Sequence, residues 1–486
     1  MPWLNGLSFL GIFGLCAIAW LGSENRHVIP WKVIIWGVGL QLVLGALVFL
    51  VPGTRDAVKV INDGVNAVLD ATEAGSRFIF GSLLVPDSAQ VPGPVLAGRW
   101  IARAVTPAYV PVPGDRLSPD NLNLGYIFAF RALPIVIFFS ALMSLFYNLR
   151  LIQPIVGFFA RIFQWSMNLS GAEALSGAAN IFVGIESMLV VRPFLADMTR
   201  SELCAILASC FGSIASTVLA LYSSLLRPTF PNITGHLVSA SLMAIPACFV
   251  ISKILVPETE VPKTLGHLPV AEAEVTDSGT SATQDGTIDL EKVSPMESLI
   301  IGAMDGAKLA ISIAALLIAV LGMVALVNLF FGNLASLSLS QNPVLHNLGK
   351  IFQFITLQNI LGVLFLPLTF LTGVSLNSQE LWQASMLIGR RLLETEVPAY
   401  QQLAVLSSQK AISDRTLLVL SYSLCGFAHL PSVGIFVGGL VSLIPSRRKD
   451  ISLLGWKALW AATLGTLMIG CVAGLFDTGN PSIMGR

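Results

Sequence analysis

Three glutamates stand where an apolar chain normally excludes charge. Glu186 lies within SGAANIFVGIESMLVVRPFL, and Glu394 and Glu396 lie within SMLIGRRLLETEVPAYQQLAVL. A carboxylate at the bilayer centre costs about 2.5–3.5 kcal/mol on insertion scales, so it faces protein, water or a ligand. Its chemistry there is recognition: an ionised carboxylate accepts hydrogen bonds and donates none.

The elements that must carry these groups recur in the chain. Each stretch is followed by a short polar break, MTRSE at 198–202 and ISDRT at 412–416. Each break leads into a second apolar segment with a glycine near its middle, Gly212 and Gly426. Glu186 to Glu396 spans 210 positions, Arg200 to Arg415 spans 215, and Gly212 to Gly426 spans 214. Duplicated halves with interrupted segments around midplane polar groups outline a secondary transporter.

Composition agrees with a membrane setting. Of 486 residues 54% are hydrophobic and 12% charged, with a mean hydropathy of +0.77. Soluble domains carry roughly 25% charged residues, so the chain reads as an all-α polytopic membrane protein. Lys+Arg and Asp+Glu are 28 each, which gives no sign of a nucleic-acid partner. The six cysteines lie in apolar segments without a CxxC pair and read as small core residues. The histidines lack metal-ligand spacing, and no Walker sequence is present, against a nucleotide-hydrolysing pump. The first apolar run, Leu4 to Leu21, has no basic residue before it and reads as a retained helix, not a signal peptide.

Runs long enough to cross occur near 4–21, 31–51, 124–148, 203–226, 237–256, 308–331, 416–443 and 455–476, giving eight crossings. The broken stretches near 175–195 and 384–406 read as re-entrant hairpins, and that near 351–375 as an interfacial helix. With the N-terminus outside, Arg26, Lys32, Arg150, Arg161, Arg192, Arg200, Arg447, Arg448 and Lys449 fall on the cytoplasmic side. Lys410 and Arg415 fall outside and count against this orientation. The hairpins then enter from opposite faces, so the repeat is inverted. Residues 55–80 read as amphipathic, with Val58, Ile61, Val65 and Leu69 on one face. Residues 86–122 read as an outer loop. The expected organisation is N-terminal helices and loop over 1–148, a first repeat over 149–256, a disordered cytoplasmic linker over 257–294, a connecting helix over 295–344 and a second repeat over 345–486.

The stretches GAANIFVG (177–184), MTRSEL (198–203), GSIASTVLALY (212–222), VPETE (256–260), ETEVPAY (394–400), LCGFA (424–428) and GIFVGGL (434–440) resemble the concentrative nucleoside transporter family. The resemblance implies a homotrimer, each protomer with eight transmembrane helices and two opposed hairpins, carrying a nucleoside and a cation across the membrane. In the family a Gly-Gln-Thr-Glu sequence in the first hairpin holds the nucleobase. Here Gly184-Ile185-Glu186-Ser187 stands in its place, one residue shorter and with Ile185 replacing the amide. Glu186 then matches the carboxylate, able to accept from ring N–H or amino donors. Val218 matches a position that packs on the base. Glu396 matches the ribose-binding carboxylate, and Phe427 and Ser432 line the same half. His429 replaces the usual asparagine; it too can donate and accept, and histidine as a residue type adds a titratable group. The sodium ligands of the family match Asn180, Ser213 and the backbone of Val183 and Ile214. The fifth, a hydroxyl, falls in the deletion, where Ser187 could substitute. The implied coupling ion is H+ or Na+, with no organic cofactor and no catalytic residue.

Other readings stand beside these. Glu186 could be structural, paired with Arg192 or Arg200. Glu394 reads as a solvated hairpin charge. His429 could be a hydrogen-bonded core residue, Asn180 a helix cap, and Arg131 a structural partner. Arg390 and Arg391 could pair locally, and Gly438 and Gly439 could permit close helix packing. The functional reading is a nucleoside symporter of the inner membrane working by alternating access. Its rivals are a same-fold carrier of nucleobases or modified nucleosides, a membrane-embedded hydrolase and a passive channel.

Overall fold

The structure, a computed structural model, describes residues 2–81, 84–85, 127–184, 187–267 and 294–485. Ile185, Glu186, the whole expected outer loop 86–122 and residues 268–293 of the expected linker lie outside the described residues. Those described form an all-helical chain with no strand, apart from an isolated bridge between Ser170 and Leu265.

Helices α1 (Pro2–Leu21), α2 (Trp31–Leu50) and α3 (Pro52–Phe80) open the chain. Val65 and Leu69 of α3 pack with Ile135, Phe139 and Ala220, as its amphipathic spacing requires. A turn at Phe128–Arg131 leads into α4 (Leu133–Asn148). Arg131 reaches Glu73 of α3 at 2.5 Å, which gives it the structural role.

The first repeat follows as α5 (Gln153–Met167), α6 (Gly171–Val183), a turn at Ser187–Val190, α7 (Arg200–Gly212), α8 (Ser216–Leu226) and α9 (Ile233–Leu255). Long α10 (Pro295–Ala335) packs along α4. After α11 (Pro343–Phe352), the second repeat runs α12 (Leu357–Leu371), α13 (Ser378–Glu394), α14 (Glu396–Ser408), α15 (Asp414–Ser423), α16 (Leu430–Leu443) and α17 (Arg448–Phe476). The order of elements is the same in the two repeats. Ser170, Thr199, Asn377 and Ser413 cap α6, α7, α13 and α15 by accepting from backbone N–H groups, so the polar breaks in the sequence are helix starts.

Among the described residues six helices are long and apolar enough to cross a membrane, or seven if the pair α11 and α12, bent by 63°, is one span. The runs 203–226 and 416–443, expected as continuous crossings, are each two helices. Chain breaks at 213–215 and 424–429 separate α7 from α8 and α15 from α16. Hydropathy does not register such a break, because the intervening residues are themselves small or apolar. The stretch 351–375, expected as an interfacial helix, holds the last residues of α11 and all of α12, which meet at the 63° bend.

Helices α9 and α17 form the centre: 89% and 83% of their apolar windows are buried, against 11% for α10. Both pack on α7. The linker expected to be disordered is ordered in its first part. Thr264 accepts from the N–H groups of Gly171 and Ala172, so this segment satisfies the orphan donors at the start of α6. Lys253 pairs with Glu173 at 2.5 Å and Glu258 at 3.2 Å beneath the same hairpin. All six cysteines are free, five of them buried. A Cβ at Gly438 would meet no described atom of this chain within 4 Å.

Candidate functional site

The site forms where the two hairpins meet the two broken helices. At Gly184 the backbone turns with φ 66°, a conformation glycine adopts without steric cost. A Cβ at Gly184 would sit 3.0 Å from the Ala215 side chain, so the tip lies against the break between α7 and α8. Ser216 Oγ donates to Phe182 O at 2.7 Å and fastens the two together.

Asn180 and Ser213 belong to this junction, and both are buried. Neither Asn180 Oδ1, Asn180 Nδ2 nor Ser213 Oγ has a hydrogen-bond partner among the described residues. Buried polar groups are nearly always satisfied, so orphans here point to a missing ligand. Asn180 lies inside α6 and does not cap it. Ile214 O accepts weakly from Ser241 Oγ at 3.5 Å, and the Val183 backbone ends α6 beside the tip. Neutral oxygen donors of this kind suit a hard monovalent cation. The described residues hold no cluster of His, Cys, Asp or Glu that would prefer a transition metal. Ser187 Oγ lies 3.8 Å from Cys210 Sγ, turned toward α7.

In the second repeat the tip residue is Thr395, with φ 85° and ψ 170°. That region is essentially reserved for glycine and costs a β-branched residue on the order of 1–3 kcal/mol. Thr395 Oγ1 is buried without a partner. Glu396 begins α14 and is 3% exposed. Tyr222 of α8 donates its hydroxyl to Glu396 Oε1, and His429 Nε2 lies 2.9 Å from Oε2. One carboxylate thus joins a helix of the first repeat to the break of the second. His429 is the N-cap of α16: its Nδ1 accepts from Ser432 N–H at 3.2 Å. The neutral ring therefore carries its proton on Nε2, facing Glu396. Imidazole performs both tasks of an asparagine here, capping through Nδ1 and placing Nε2 within 2.9 Å of the carboxylate.

Ser432 donates its hydroxyl to the carbonyls of Phe427 and His429, turning it to the backbone. Phe427 packs edge-on to His429, and Val218 is buried in the first turns of α8. Glu394 is not solvated. It is 1% exposed, bound by Arg390 at 2.8 Å and by Gln358 Nε2 at 2.6 Å. Arg200, a possible partner of Glu186 by sequence, pairs with Asp450 and Glu24.

Tyr222, Tyr400 and Thr395 are polar groups of this region that sequence reasoning did not select; Arg391, read there as a local ion-pair partner, instead binds Ser423 O and Thr466 Oγ1. Tyr222 stacks on Tyr400 at 4.5 Å, and Tyr400 donates to Ser421 O at 2.7 Å. Tyr222 closes the GSIASTVLALY stretch and Thr395 sits inside ETE, but nothing local distinguishes them from packing residues.

Models described as "Na+ dependent nucleoside transporter" match residues 10–83 by its N-terminus and 236–474 by its C-terminus, and "Nucleoside recognition" matches 129–229. An "Uncharacterized transporter" of Haemophilus influenzae is 33% identical, over 96% of this chain and 97% of its own. Nucleoside permease NupC of Helicobacter pylori is 30% identical over 96% and 97%. Sodium/nucleoside cotransporter 1 of Rattus norvegicus is 32% identical over 96% of this chain, which spans 63% of that longer relative. The solved structure of CNTnw in an inward-facing substrate-bound state superposes with a TM-score of 0.77 at 32% identity, covering 97% of this chain and 98% of the other. A doubly substituted CNTnw in an outward-facing state gives 0.79 at 31%, covering 99% of each. These relatives are transporters, not enzymes. With the hairpins, the broken helices and these matches together, the chain belongs to the concentrative nucleoside transporter family and is a multi-pass membrane nucleoside transporter.

Proposed function

We propose that this protein is a cation-coupled nucleoside symporter of the inner membrane, working by alternating access. Glu396 is the ribose-binding carboxylate, with Phe427, His429 and Ser432 around it. Glu186, with Ile185 and Val218, meets the base. Asn180, Ser213 and the carbonyls of Val183 and Ile214 receive the coupling cation. The observation that carries the cation reading is the orphaned polar set at Asn180 and Ser213, buried against the first hairpin tip. Relatives of the same fold solved in inward-facing, intermediate and outward-facing states support the moving-hairpin cycle. A ligand that satisfies the buried polar groups favours the state in which the hairpins cross. The family's homotrimer is the assembly we assign.

The ligands at Asn180 and Ser213 favour sodium over a proton, because neither side chain takes up a proton near neutral pH. Uptake into proteoliposomes with separately imposed sodium and pH gradients tests this. Accumulation driven by sodium at constant pH is the expected result; accumulation driven by a pH gradient alone refutes the sodium assignment. Ser213→Ala removes one ligand and is expected to raise the half-saturating sodium concentration about tenfold, roughly 1.4 kcal/mol, read by the sodium dependence of uptake.

His429→Asn keeps the cap and the donor, so nucleoside affinity should stay within about threefold of wild type. His429→Ala loses both, the cap alone being worth about 1 kcal/mol, and should weaken affinity at least tenfold. Equal affinities for the two variants in a uridine-binding titration would contradict the dual role.

A further inference from the structure

The two hairpins can be aligned on their tips, where each chain turns through a positive φ, at Gly184 and at Thr395. Asn180 stands four residues before the first tip, and Arg391 stands four residues before the second. Both are completely buried. The two breaks are also in contact: a Cβ on Gly426 would come within 2.7 Å of Gly212 O. In the first repeat the register position is a neutral amide with both polar atoms unpartnered. In the second it is a guanidinium.

Arg391 Nη1 donates to Ser423 O, the last carbonyl of α15 at its break, at 2.5 Å, and to Thr466 Oγ1 of α17 at 2.8 Å. Its Nε is buried without a partner. No described carboxylate pairs with it: Glu394 is taken by Arg390 and Glu396 by Tyr222 and His429. Carbonyl and hydroxyl oxygens at the end of a broken helix are also what a bound alkali cation would use, and the negative end of the helix dipole favours positive charge there. Guanidinium is permanently charged and more weakly hydrated than ammonium, which suits it to burial.

From this we infer that Arg391 is a resident cation of the second repeat, seated in the register where the first repeat receives its mobile cation. One mobile cation then accompanies each nucleoside, and Arg391 acts as a positioning residue holding the α15 break beside Glu396. This rests on the cation-coupled reading above.

The test uses the whole protein in proteoliposomes, with wild type, Arg391→Lys and Arg391→Asn. Wild type should move one sodium ion per uridine, and Arg391→Lys should keep that ratio. Arg391→Asn reproduces the first repeat's residue and should create a second site. Its sodium dependence should steepen from a Hill slope of 1 toward 2, with half-saturation raised at least tenfold. Sodium titration of its thermal stability without nucleoside should show a second binding phase absent from wild type. A wild-type ratio of two sodium ions per uridine overturns the inference and leaves sodium coupling standing. So does Arg391→Asn with wild-type slope and a single binding phase. If Arg391→Asn fails to fold, the wild-type ratio decides. Uptake driven by no cation overturns both readings.

Discussion

Glu396→Gln is expected to abolish nucleoside accumulation while leaving the fold intact. Glutamine has the same shape, but its two ends differ. Glu396 accepts the Tyr222 hydroxyl on Oε1, and His429 Nε2 lies 2.9 Å from Oε2. Since His429 Nδ1 is used as the acceptor of the α16 cap, Nε2 is a donor. A glutamine that turns its oxygen to the tyrosine presents its NH2 to the His429 Nε2 donor; turned the other way, its NH2 can donate to the Tyr222 hydroxyl, whose own proton then loses its carboxylate acceptor. Truncating one partner of a buried hydrogen-bonded pair costs about 2–5 kcal/mol. Through the site this corresponds to a loss of roughly 30-fold or more in apparent affinity. Glu186→Gln should abolish accumulation as well, through the base-binding half. Uptake of labelled uridine, with sodium-dependent thermal stability as the folding control, measures both. Undiminished accumulation in both variants ends the two-carboxylate reading.

The largest expected effect on stability lies away from the site. Arg415 counted against the orientation drawn from basic residues, and its surroundings explain why it is tolerated. It is 5% exposed and binds four residues on three other parts of the chain. Its Nε donates to Gly373 O at 2.9 Å, Nη1 to Asn5 Oδ1 at 2.8 Å and to Asp477 at 3.2 Å, and Nη2 to Ser8 Oγ at 3.1 Å. Arginine here ties α15 to α1, to the turn before α13 and to the segment after α17. Arg415→Met leaves Asp477 buried without its cation, a change that costs about 3–5 kcal/mol. Arg415→Lys should recover only part of this, because an ammonium lacks the fork that reaches several acceptors. The exposed pair Arg227–Asp70 is the control: Arg227→Met should cost about 1 kcal/mol or less. Thermal unfolding in detergent compares the three. An Arg415→Met protein as stable as the Arg227→Met protein would show that the network contributes nothing.

Much of this molecule is legible in one dimension. The cost of charge in hydrocarbon singles out Glu186, Glu394 and Glu396 without any coordinates. Duplication is visible because both copies keep the same order of tip, polar break and glycine. The polar breaks are helix starts in both repeats, as the capping chemistry of Thr199 and Ser413 dictates locally.

What sequence could not decide is which of these polar groups meet. Glu394 and Glu396 are two residues apart and equally acidic on paper. One is paired with Arg390 and hydrogen-bonded by Gln358, while the other reaches across to Tyr222 and His429. The breaks in 203–226 and 416–443 escaped hydropathy because it sums side chains and ignores backbone hydrogen bonds. The roles of Tyr222 and Arg391 depend on partners 174 and 32 residues away along the chain. Local composition fixes the free-energy cost of placing a charge in the membrane, whereas only the packed fold supplies the partner that offsets it.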